Sequence, residues 1–498
     1  MNKPRFRFGT LILPAFFTYT SFAQQIIKQQ IDQINTPAVA LAPLRFLASD
    51  SLRGRSATRS EISIAYTYIS NQFKLIGVTQ LSSASNYYQD FNLKLRIPTA
   101  IGSFSLGSKM SRIGRDLVQG SGDDVDITAP IVYAGYGMQM DLDKIDVKGK
   151  IVFVNRGDSE ATPPRQARSF RLIKQKQLFD RGAVAMIERY WEADSTWKFI
   201  AAAFQQEYMM ALKKDSSFPV LLINDPANDI RPLIEKDSKA AIKITGSKSR
   251  YTVAKNILGF IEGTDPVLKK EYVALSAHYD HIGVARQARM EDGKLDSIYN
   301  GATDNATGVA AVLAAARYFK KHPPKRSILL IAFTAEELGL FGSMYFVAKP
   351  PVPLRQIVYN LNIDNGGYND TNSIILIGKG RTSADEDIVQ AASTYGLMVS
   401  TDSGPGLFER SDNFNFAIAG IPAPKYGLGR NETDTTIVNR YHELSDEVDN
   451  MHLDYIAKFI NSYVLAAANI ANNKTQQKWT AGDEFEAAWL RLYGRNKK

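Results

Sequence analysis

The 498-residue sequence contains no cysteine and only five histidines. Without cysteine the chain can form neither a disulfide framework nor a thiolate metal site, and it offers no cysteine for lipid attachment. Any metal centre must therefore be built from histidine and carboxylate side chains alone. The sequence also lacks a dense run or repeat of lysine and arginine, so its formal net charge of +9 indicates a mildly basic surface and no nucleic-acid partner.

The sequence lacks an apolar run long enough to cross a membrane. A basic start, an apolar stretch from about Leu11 and the small residues Ser21 and Ala23 predict a secretory signal peptide over residues 1–23, cleaved after Ala23. A transmembrane anchor is disfavoured because the stretch is shorter than the roughly 20 residues that a span requires and is interrupted by Pro14. We therefore expect an exported protein, periplasmic or extracellular, with no membrane span in its mature form.

The pattern of apolar and polar residues changes twice along the chain. Residues 24–95 show helical spacing, notably over 26–34 and 61–76, and the turn-prone stretch ASDSLRGR at 48–55 between them is interpreted as a loop. From residue 96 to 248 short β-type runs alternate with polar or glycine-rich loops, which predicts a separate β-rich module. This module contains no histidine and no recognisable group of catalytic residues.

Residues 249–475 alternate apolar strand-like runs with helix-like runs. The predicted strands are 272–277, 327–333, 357–363 and 373–377, and the predicted helices are near 305–319, 384–395 and 453–472. This alternation predicts an α/β fold with a mostly parallel mixed sheet and helices on both faces. The remaining residues, 476–498, are interpreted as a polar C-terminal tail. In such sheets ligands bind at the carboxyl ends of the strands.

Residues of the kind that bind metals stand at those strand ends. They are His278 and Asp280 in AHYDHIG, Asp304 in GATDNATG, Glu336 and Glu337 in FTAEELGLFGS, Asp364 in NIDNGG, and His442 in RYHELSD. Taken singly, such a residue is usually a cap or turn residue, and two adjacent glutamates suit the first turn of a helix. The ordered series along one sheet edge favours a metal site instead. The other histidines, 281, 322 and 452, are assigned structural or surface roles.

The adjacent carboxylates Glu336 and Glu337 are expected to have different roles. Consecutive side chains on an extended chain point to opposite sides. One carboxylate can therefore bind a metal ion while its neighbour reaches toward a reacting water molecule.

Together these motifs resemble the M28 family of zinc aminopeptidases carrying an inserted protease-associated (PA) domain. ASDSLRGR resembles the family's N-terminal segment, while VKGKIVFVNRGD at 147–158 and DRGAVAMI at 180–187 resemble the PA core. The resemblance covers nearly the whole mature chain. It implies a zinc-exopeptidase-type fold over 24–95 and 249–475, a PA domain inserted at 96–248, and peptide substrates.

Three positions depart from the family pattern. Thr303 stands where the family often has a second aspartate, Asn413 where a histidine is common, and Asn365 where methionine is frequent. None of the three is an implied metal ligand. The departures therefore bear on substrate preference.

The resemblance also implies the composition of the metal site. Two zinc ions would share the carboxylate of Asp304. One ion would be bound by His278 and Asp364, and the other by Glu337 and His442. All of these ligands are nitrogen or oxygen donors, which zinc accepts and which a cysteine-free chain requires.

The resemblance assigns roles to the neighbouring residues as well. Glu336 would act as the general base, and the Asp280 carboxylate would fix the tautomer of His278. Tyr441 is either an oxyanion-stabilising residue or a packing tyrosine. Relatives hold the peptide bond after the bridging aspartate in cis, which predicts a cis bond at 304–305.

Three functions remain open from the sequence. The first is a co-catalytic zinc exopeptidase that removes N-terminal residues from peptides. The second is another zinc hydrolase or acyl-transfer enzyme on the same scaffold, such as a carboxypeptidase or a glutaminyl cyclase. The third is a non-catalytic binding protein like the transferrin-receptor ectodomain. The complete set of ligands and base argues against the third, whereas the sequence does not show how a substrate's amine or carboxylate is held. The oligomeric state is not predicted.

Overall fold

The computed structural model describes residues 15–97, 101–162, 167–204, 208–210, 217–235, 238–291, 293–401, 406–430 and 440–494. The chain forms two compact units. One unit combines the chain up to Phe91 with the chain from Ala254 onward, and the other is Asn92–Val253. The second unit is therefore an insertion in the chain of the first.

Helices occur in both units. In chain order they are α1 (Ala15–Ile34), α2 (Pro37–Leu47), α3 (Ile62–Ile76), α4 (Gln139–Leu142), α5 (Ala167–Asp180), α6 (Asp194–Phe204), α7 (Thr307–Lys321), α8 (Phe341–Ala348), α9 (Asp385–Thr394), α10 (Asn413–Ile418), α11 (Leu453–Asn472) and α12 (Glu486–Tyr493).

Strands likewise occur in both units. In chain order they are β1 (Tyr88–Ile97), β2 (Gly102–Leu106), β3 (Lys109–Arg112), β4 (Leu117–Ser121), β5 (Val125–Tyr133), β6 (Ile151–Asn155), β7 (Ala185–Tyr190), β8 (Tyr208–Met210), β9 (Val220–Asn224), β10 (Lys239–Ile244), β11 (Lys248–Ile261), β12 (Tyr272–His278), β13 (Gly283–Glu291), β14 (Lys294–Tyr299), β15 (Ser327–Phe333), β16 (Ile357–Ile363), β17 (Ser373–Ile377), β18 (Met398–Ser400) and β19 (Lys425–Leu428).

The first unit is built on a mixed sheet whose strands lie in the order β18, β17, β19, β16, β12, β15, β11. Strand β12 is parallel to both of its neighbours, β15 and β16, and β16 is parallel to β19. Strands β11 and β17 run antiparallel to β15 and β19. The predicted α/β class with a mostly parallel mixed sheet is confirmed.

Strand β15 shows why helices cover both faces of this sheet. All seven of its residues are buried, as expected for a strand with no solvent-facing side. Ile328 and Leu330 belong to the apolar cluster that includes α7 and α11. Leu329 instead belongs to the cluster with Phe346 of α8 and Phe416 of α10. Because β12, β15 and β16 are parallel, their carboxyl ends lie at one edge of the sheet, where the predicted site residues follow.

The second unit contains an eight-stranded sheet in the order β3, β2, β10, β5, β6, β7, β9, β4. Its central strands β5, β6, β7 and β9 are parallel. Under α5 the buried carboxylate of Glu188 accepts hydrogen bonds from Arg171 at 2.8 Å and Lys174 at 3.2 Å, so two buried cations share one anion. The identity of the insert as a PA domain at 96–248 stays a prediction.

The structure differs from the predicted polar tail at 476–498. Over the described residues up to 494, Trp479 is only 2% exposed and packs with Phe408 and Phe485. Arg381 also forms an ion pair with Asp483 at 2.7 Å. The packing aromatic residues stand singly among polar ones, so they produce no apolar run that sequence reasoning could detect.

Helix α1 runs through Ala23, the predicted cleavage point. Residues 1–14 lie outside the described residues, so the signal peptide at 1–23 stays a prediction. Among the helices of the described ranges, none combines the length and apolar character needed to cross a bilayer.

Candidate metal centre

Three of the predicted ligands meet at the carboxyl edge of the central strands. His278 is the last residue of β12, Asp364 directly follows β16, and Asp304 lies shortly before α7. The Nε2 atom of His278 lies 3.2 Å from Oδ1 of Asp304 and 3.3 Å from Oδ1 of Asp364. All three side chains are almost fully buried. The structure therefore gathers residues from three separate segments of the chain into one group of donor atoms.

The second oxygen of Asp304 faces a different group. Its Oδ2 atom lies 3.2 Å from Nε2 of His442, and that same nitrogen lies 3.0 Å from Oε2 of Glu337. The Nδ1 atom of His281 lies 2.7 Å from Oε1 of Glu337. The two groups of donor atoms thus share Asp304, which presents one carboxylate oxygen to each.

His281 was assigned a structural or surface role from the sequence. The structure buries it and places its ring among the residues of the second group. Its position next to Asp280 in AHYDHIG is the signal that could have identified it. That signal is weak, because the sequence does not show that Glu337 lies beside this loop.

The donor atoms of both groups fit metal ions. Ligands about 2.0–2.2 Å from a tetrahedral zinc ion lie roughly 3.3–3.6 Å from one another. The separations of 3.0–3.3 Å are close to that spacing. Moreover, Nε2 of His442 is buried without a hydrogen bond although two carboxylates stand near it. Imidazole and carboxylate donors suit zinc, so the residues present fit the expected metal.

The two adjacent glutamates have opposite electrostatic environments, and Glu337 is the more acidic. Burial and the charge of Asp304 act to raise its pKa. Its contacts with the rings of His281 and His442 outweigh both effects and lower the pKa below its usual value. Glu337 is therefore held in its ionised form, as a metal-binding carboxylate must be.

Glu336 lacks such contacts. Burial raises the pKa of Glu336 well above its usual value, and the charges of Asp364 and Glu337 raise it further, although His278 opposes them. Its Oε2 atom lies 3.9 Å from Nε2 of His278, beyond hydrogen-bond range. Glu336 also lines a cavity beside the two groups. It is thus a carboxylate next to, but separate from, the donor atoms.

The Asp280 carboxylate does not make the predicted contact with His278. Its Oδ1 atom is 3.9 Å from Nδ1 of His278, whereas the backbone carbonyl oxygen of Asp280 is 3.2 Å from that nitrogen. Strand β12 ends at His278, so Asp280 lies outside the strand and its side-chain direction does not follow from strand alternation. Oδ1 instead accepts a hydrogen bond from the backbone N–H of Glu336 at 3.2 Å. The Asp280 carboxylate therefore positions Glu336. Burial raises the pKa of Asp280 to about 7.

Asp446 holds the loop that carries Asp304, a role not predicted from the sequence. Its carboxylate accepts hydrogen bonds from the backbone N–H and the hydroxyl of Thr303 at 2.8 and 2.7 Å, and from the N–H of Asp304 at 3.1 Å. Its place four residues after His442 in RYHELSD was the available signal. The peptide bond between Asp304 and Asn305 is cis, which confirms that prediction.

The structure brings Tyr441 to the site. Its ring stacks on the ring of His442 with centroids 3.9 Å apart, and it lines the cavity that Glu336 also lines. Its hydroxyl accepts a hydrogen bond from Arg410 at 3.3 Å. The packing interpretation and the oxyanion interpretation are both compatible with this placement.

The stretch ASDSLRGR, interpreted from the sequence as a loop, places a buried cation beneath the site. Arg55 donates from Nε to the carbonyl of Tyr279 at 2.9 Å and from Nη1 to the carbonyls of Leu47, at 2.6 Å, and Asn300. Nη2 donates to the carbonyl of Gly301 at 3.0 Å. One fully buried guanidinium thus ties together the loops that carry His278 and Asp304.

Two further features of this segment fit that role. Burial lowers the pKa of Arg55 to about 10, opposed by the carboxylates of Asp304 and Asp446, so it remains a cation near the acidic groups. Gly54 has a positive φ of 67°, and an added Cβ would lie 2.2 Å from the carbonyl oxygen of Gly283. Glycine is therefore required at position 54 for the 48–55 segment to lie this close to the backbone of Gly283.

We expect Arg55→Met to lower the free energy of unfolding by about 3 kcal/mol or more, because several buried carbonyls would lose their donors at about 1–3 kcal/mol each. Chemical denaturation of the purified protein measures this. The matched control is Arg59→Met, four residues further along the chain, since Arg59 is exposed and should change stability by less than about 0.5 kcal/mol. Equal stabilities of the two variants would contradict a structural role for Arg55.

The fold and the site together define a metal-dependent hydrolase. Residues 256–467 match the profile of peptidase family M28. The chain is 24% identical over 418 residues to the aminopeptidase YwaD of Bacillus subtilis, covering 79% of this chain and 82% of that protein. It is 26% identical over 395 residues to the probable lipoprotein aminopeptidase LpqL of Mycobacterium tuberculosis, covering 73% of this chain and 68% of that protein.

Solved structures share the fold. An aminopeptidase from Aneurinibacillus sp. strain AM-1 superposes with a TM-score of 0.55 at 20% identity, covering 90% of this chain and 97% of that chain. BSAP, described as a zinc aminopeptidase from Bacillus subtilis, superposes with a TM-score of 0.51 at 21% identity, covering 89% and 97%. Residues 256–467 therefore match peptidase family M28, and most of the chain is similar to aminopeptidases. The predicted family, the zinc-exopeptidase-type fold and the class of enzyme, a metallopeptidase, are confirmed.

Proposed function

We propose that the chain is an exported, co-catalytic dizinc aminopeptidase that removes N-terminal residues from peptides. The observation that carries the proposal is the position of Asp304, which presents one oxygen to each of two histidine and carboxylate groups. The names of the relatives YwaD and LpqL support aminopeptidase activity. The description of BSAP as a zinc enzyme supports zinc, and the signal-peptide pattern at 1–23 supports export.

In this proposal His278 and Asp364 would hold one zinc ion, Glu337 and His442 would hold the other, and Asp304 would contribute to both. Zinc ions bound there would polarise the scissile carbonyl and make water a stronger nucleophile at neutral pH. The hydrogen bonds from Thr303 and from the backbone N–H of Asp304 to Asp446 hold the loop that carries the shared carboxylate.

The proton transfers fall to Glu336. Its carboxylate accepts the proton of the attacking water and delivers it to the leaving amine. Its position supports this role, because Glu336 lines the cavity beside the donor atoms without belonging to either group. Asp280 positions Glu336 through its backbone N–H. Tyr441, whose ring lines the cavity, is proposed to donate a hydrogen bond to the carbonyl oxygen as negative charge develops on it.

Aminopeptidase activity is tested with a matched pair of substrates, leucine 4-nitroanilide and its N-acetyl derivative, assayed with added zinc. We expect cleavage of the substrate with a free amino group only, loss of activity on treatment with a chelator, and recovery when zinc is returned. Release of C-terminal residues from blocked peptides, or cyclisation of N-terminal glutamine, would instead identify the other enzymes on this scaffold. Binding of peptides without turnover would identify a non-catalytic binding protein.

A further inference from the structure

A cavity of about 230 Å³ opens beside the metal-binding groups, next to Glu336. Its size lies below the roughly 300–1,000 Å³ of pockets for drug-sized ligands, so it suits a small group such as one side chain. Part of its wall is one face of the antiparallel pair β17 and β19, where Ile377 lies opposite Lys425 and Ile375 lies opposite Gly427. An added Cβ at Gly427 would lie 2.8 Å from Cγ2 of Ile375, so glycine there lets the two strands pack closely at this wall.

The cavity carries positive charge as well as apolar surface. Lys425 is mostly buried, with its side chain 11% exposed, and its Nζ atom lies 3.6 Å from Oδ2 of Asp364. That distance is too long for a hydrogen bond, so Asp364 leaves the donors of the ammonium group unused. Arg410 lines the same cavity, where one of its Nη atoms donates to the Tyr441 hydroxyl at 3.3 Å. With Arg430, which also lines the cavity, three cationic side chains border one small space.

The acidic residues of the cavity belong to the catalytic groups. Among the described residues that line it, the carboxylates are Asp304, Glu336 and Asp364. Asp304 and Asp364 are proposed metal ligands, whose negative charge bound zinc would offset. With metal present, Lys425 and Arg410 would give the cavity an excess of positive charge. A cavity of this kind attracts a negatively charged group.

We propose that this cavity binds a carboxylate group of the substrate, with Lys425 and Arg410 as its charged partners and Ile375 and Ile377 as its apolar wall. The inference rests on the proposed aminopeptidase function and specifies its substrates. The carboxylate is either the side chain of an N-terminal glutamate or aspartate, or the free C-terminal carboxylate of a dipeptide. The enzyme then selects acidic N-terminal residues or very short peptides.

The first experiment compares the 4-nitroanilides of glutamate and glutamine, which have nearly the same shape and differ in charge. If the cavity binds the side-chain carboxylate, kcat/KM for glutamate should exceed that for glutamine by about ten-fold or more, as expected for hydrogen bonds to a charged group. Lys425→Met should reduce this ratio to near one. Arg410→Met should also lower the ratio of glutamate to glutamine cleavage. Lys458→Met on α11 is the matched control, because Lys458 is exposed and the ratio should not change.

The second experiment separates the two sources of the carboxylate. The dipeptide Leu-Gly is compared with Leu-Gly-amide, which lacks only the C-terminal charge. A preference for the free dipeptide that Lys425→Met removes would assign the cavity to the C-terminal carboxylate. Thermal shifts of the zinc-loaded protein with glutamate and with glutamine give a readout that does not depend on turnover, and Lys425→Met should lose any extra stabilisation by glutamate.

The outcomes distinguish this inference from the proposed function. If leucine 4-nitroanilide is cleaved but neither matched pair shows a preference for the charged member, the inference is overturned and the aminopeptidase function stands. If the wild type cleaves no substrate that has a free amino group, the proposed function fails and the inference fails with it. Because Arg410 is exposed, Arg410→Met keeps the test valid even if Lys425→Met does not fold.

Discussion

Glu336→Gln is expected to lower kcat by about 100- to 10,000-fold, the range associated with loss of a general base. The bound zinc and the Michaelis constant should change little. The reason is geometric, since Glu336 lies beside the donor atoms without joining either group. The amide of glutamine has the same shape but cannot accept the proton of water. Added zinc should therefore not restore activity.

The matched variant is Glu337→Gln, one residue further along the chain. Glu337 contacts His281 and His442 at 2.7 and 3.0 Å and belongs to the second group of donor atoms. A neutral amide is a poorer zinc ligand than a carboxylate, so this variant should lose zinc from one position. Excess zinc should partly restore its activity.

Three measurements on both variants decide between these roles: kcat, the Michaelis constant and zinc per chain. The assignment is wrong if Glu336→Gln loses zinc, or if Glu337→Gln keeps all of its zinc and stays inactive. Different pKa directions already separate the two residues, since the pKa of Glu336 is raised and that of Glu337 is lowered. Two side chains that are identical in the sequence thus differ through the neighbours that the fold supplies.

The elements that carry the site could be predicted closely from the sequence. The predicted strands at 327–333 and 357–363 and the predicted helix at 453–472 coincide with β15, β16 and α11. Each is a long apolar or helix-spaced run, so its local pattern agrees with its burial in the fold. The site residues at the ends of these strands were predictable for the same reason.

The hairpin of β13 and β14 was not predicted, and its surface explains why. Val284, Met290 and Leu295 are its exposed apolar residues, so neither strand shows an apolar face that alternates with a polar one. The two strands pair through backbone hydrogen bonds. Backbone hydrogen bonds do not depend on particular side chains, so the amino-acid composition does not indicate them.

The residues that support the site were also missed, for a different reason. Arg55 acts through carbonyl groups more than 200 positions away in the sequence, and Lys425 faces the cavity only because β19 pairs with β17. His281 becomes part of the site only where its loop meets Glu337. Such roles depend on which segments meet in space, and no spacing within a single motif reports that.

Asp304→Ala is expected to have the other large effect, because Asp304 is the residue that both groups of donor atoms share. Its Oδ1 atom faces His278 at 3.2 Å and its Oδ2 atom faces His442 at 3.2 Å. Removal of this carboxylate takes a ligand from both proposed positions at once. The variant should therefore retain little zinc, and its aminopeptidase activity should fall to the level of metal-free protein.

Single-sided variants give the comparison that identifies a shared ligand. If each group holds one ion, the wild type should contain two zinc ions per chain, and His278→Ala or His442→Ala should each lose about one. The exposed Asp454 supplies the control, since Asp454→Ala should retain the wild-type zinc content. Elemental analysis of the dialysed proteins, with circular dichroism to verify folding, measures all four variants. A wild type that saturates at one ion, or an Asp304→Ala variant that still holds one tightly, would show that Asp304 does not bridge two metals and would favour a single-zinc enzyme on the same scaffold.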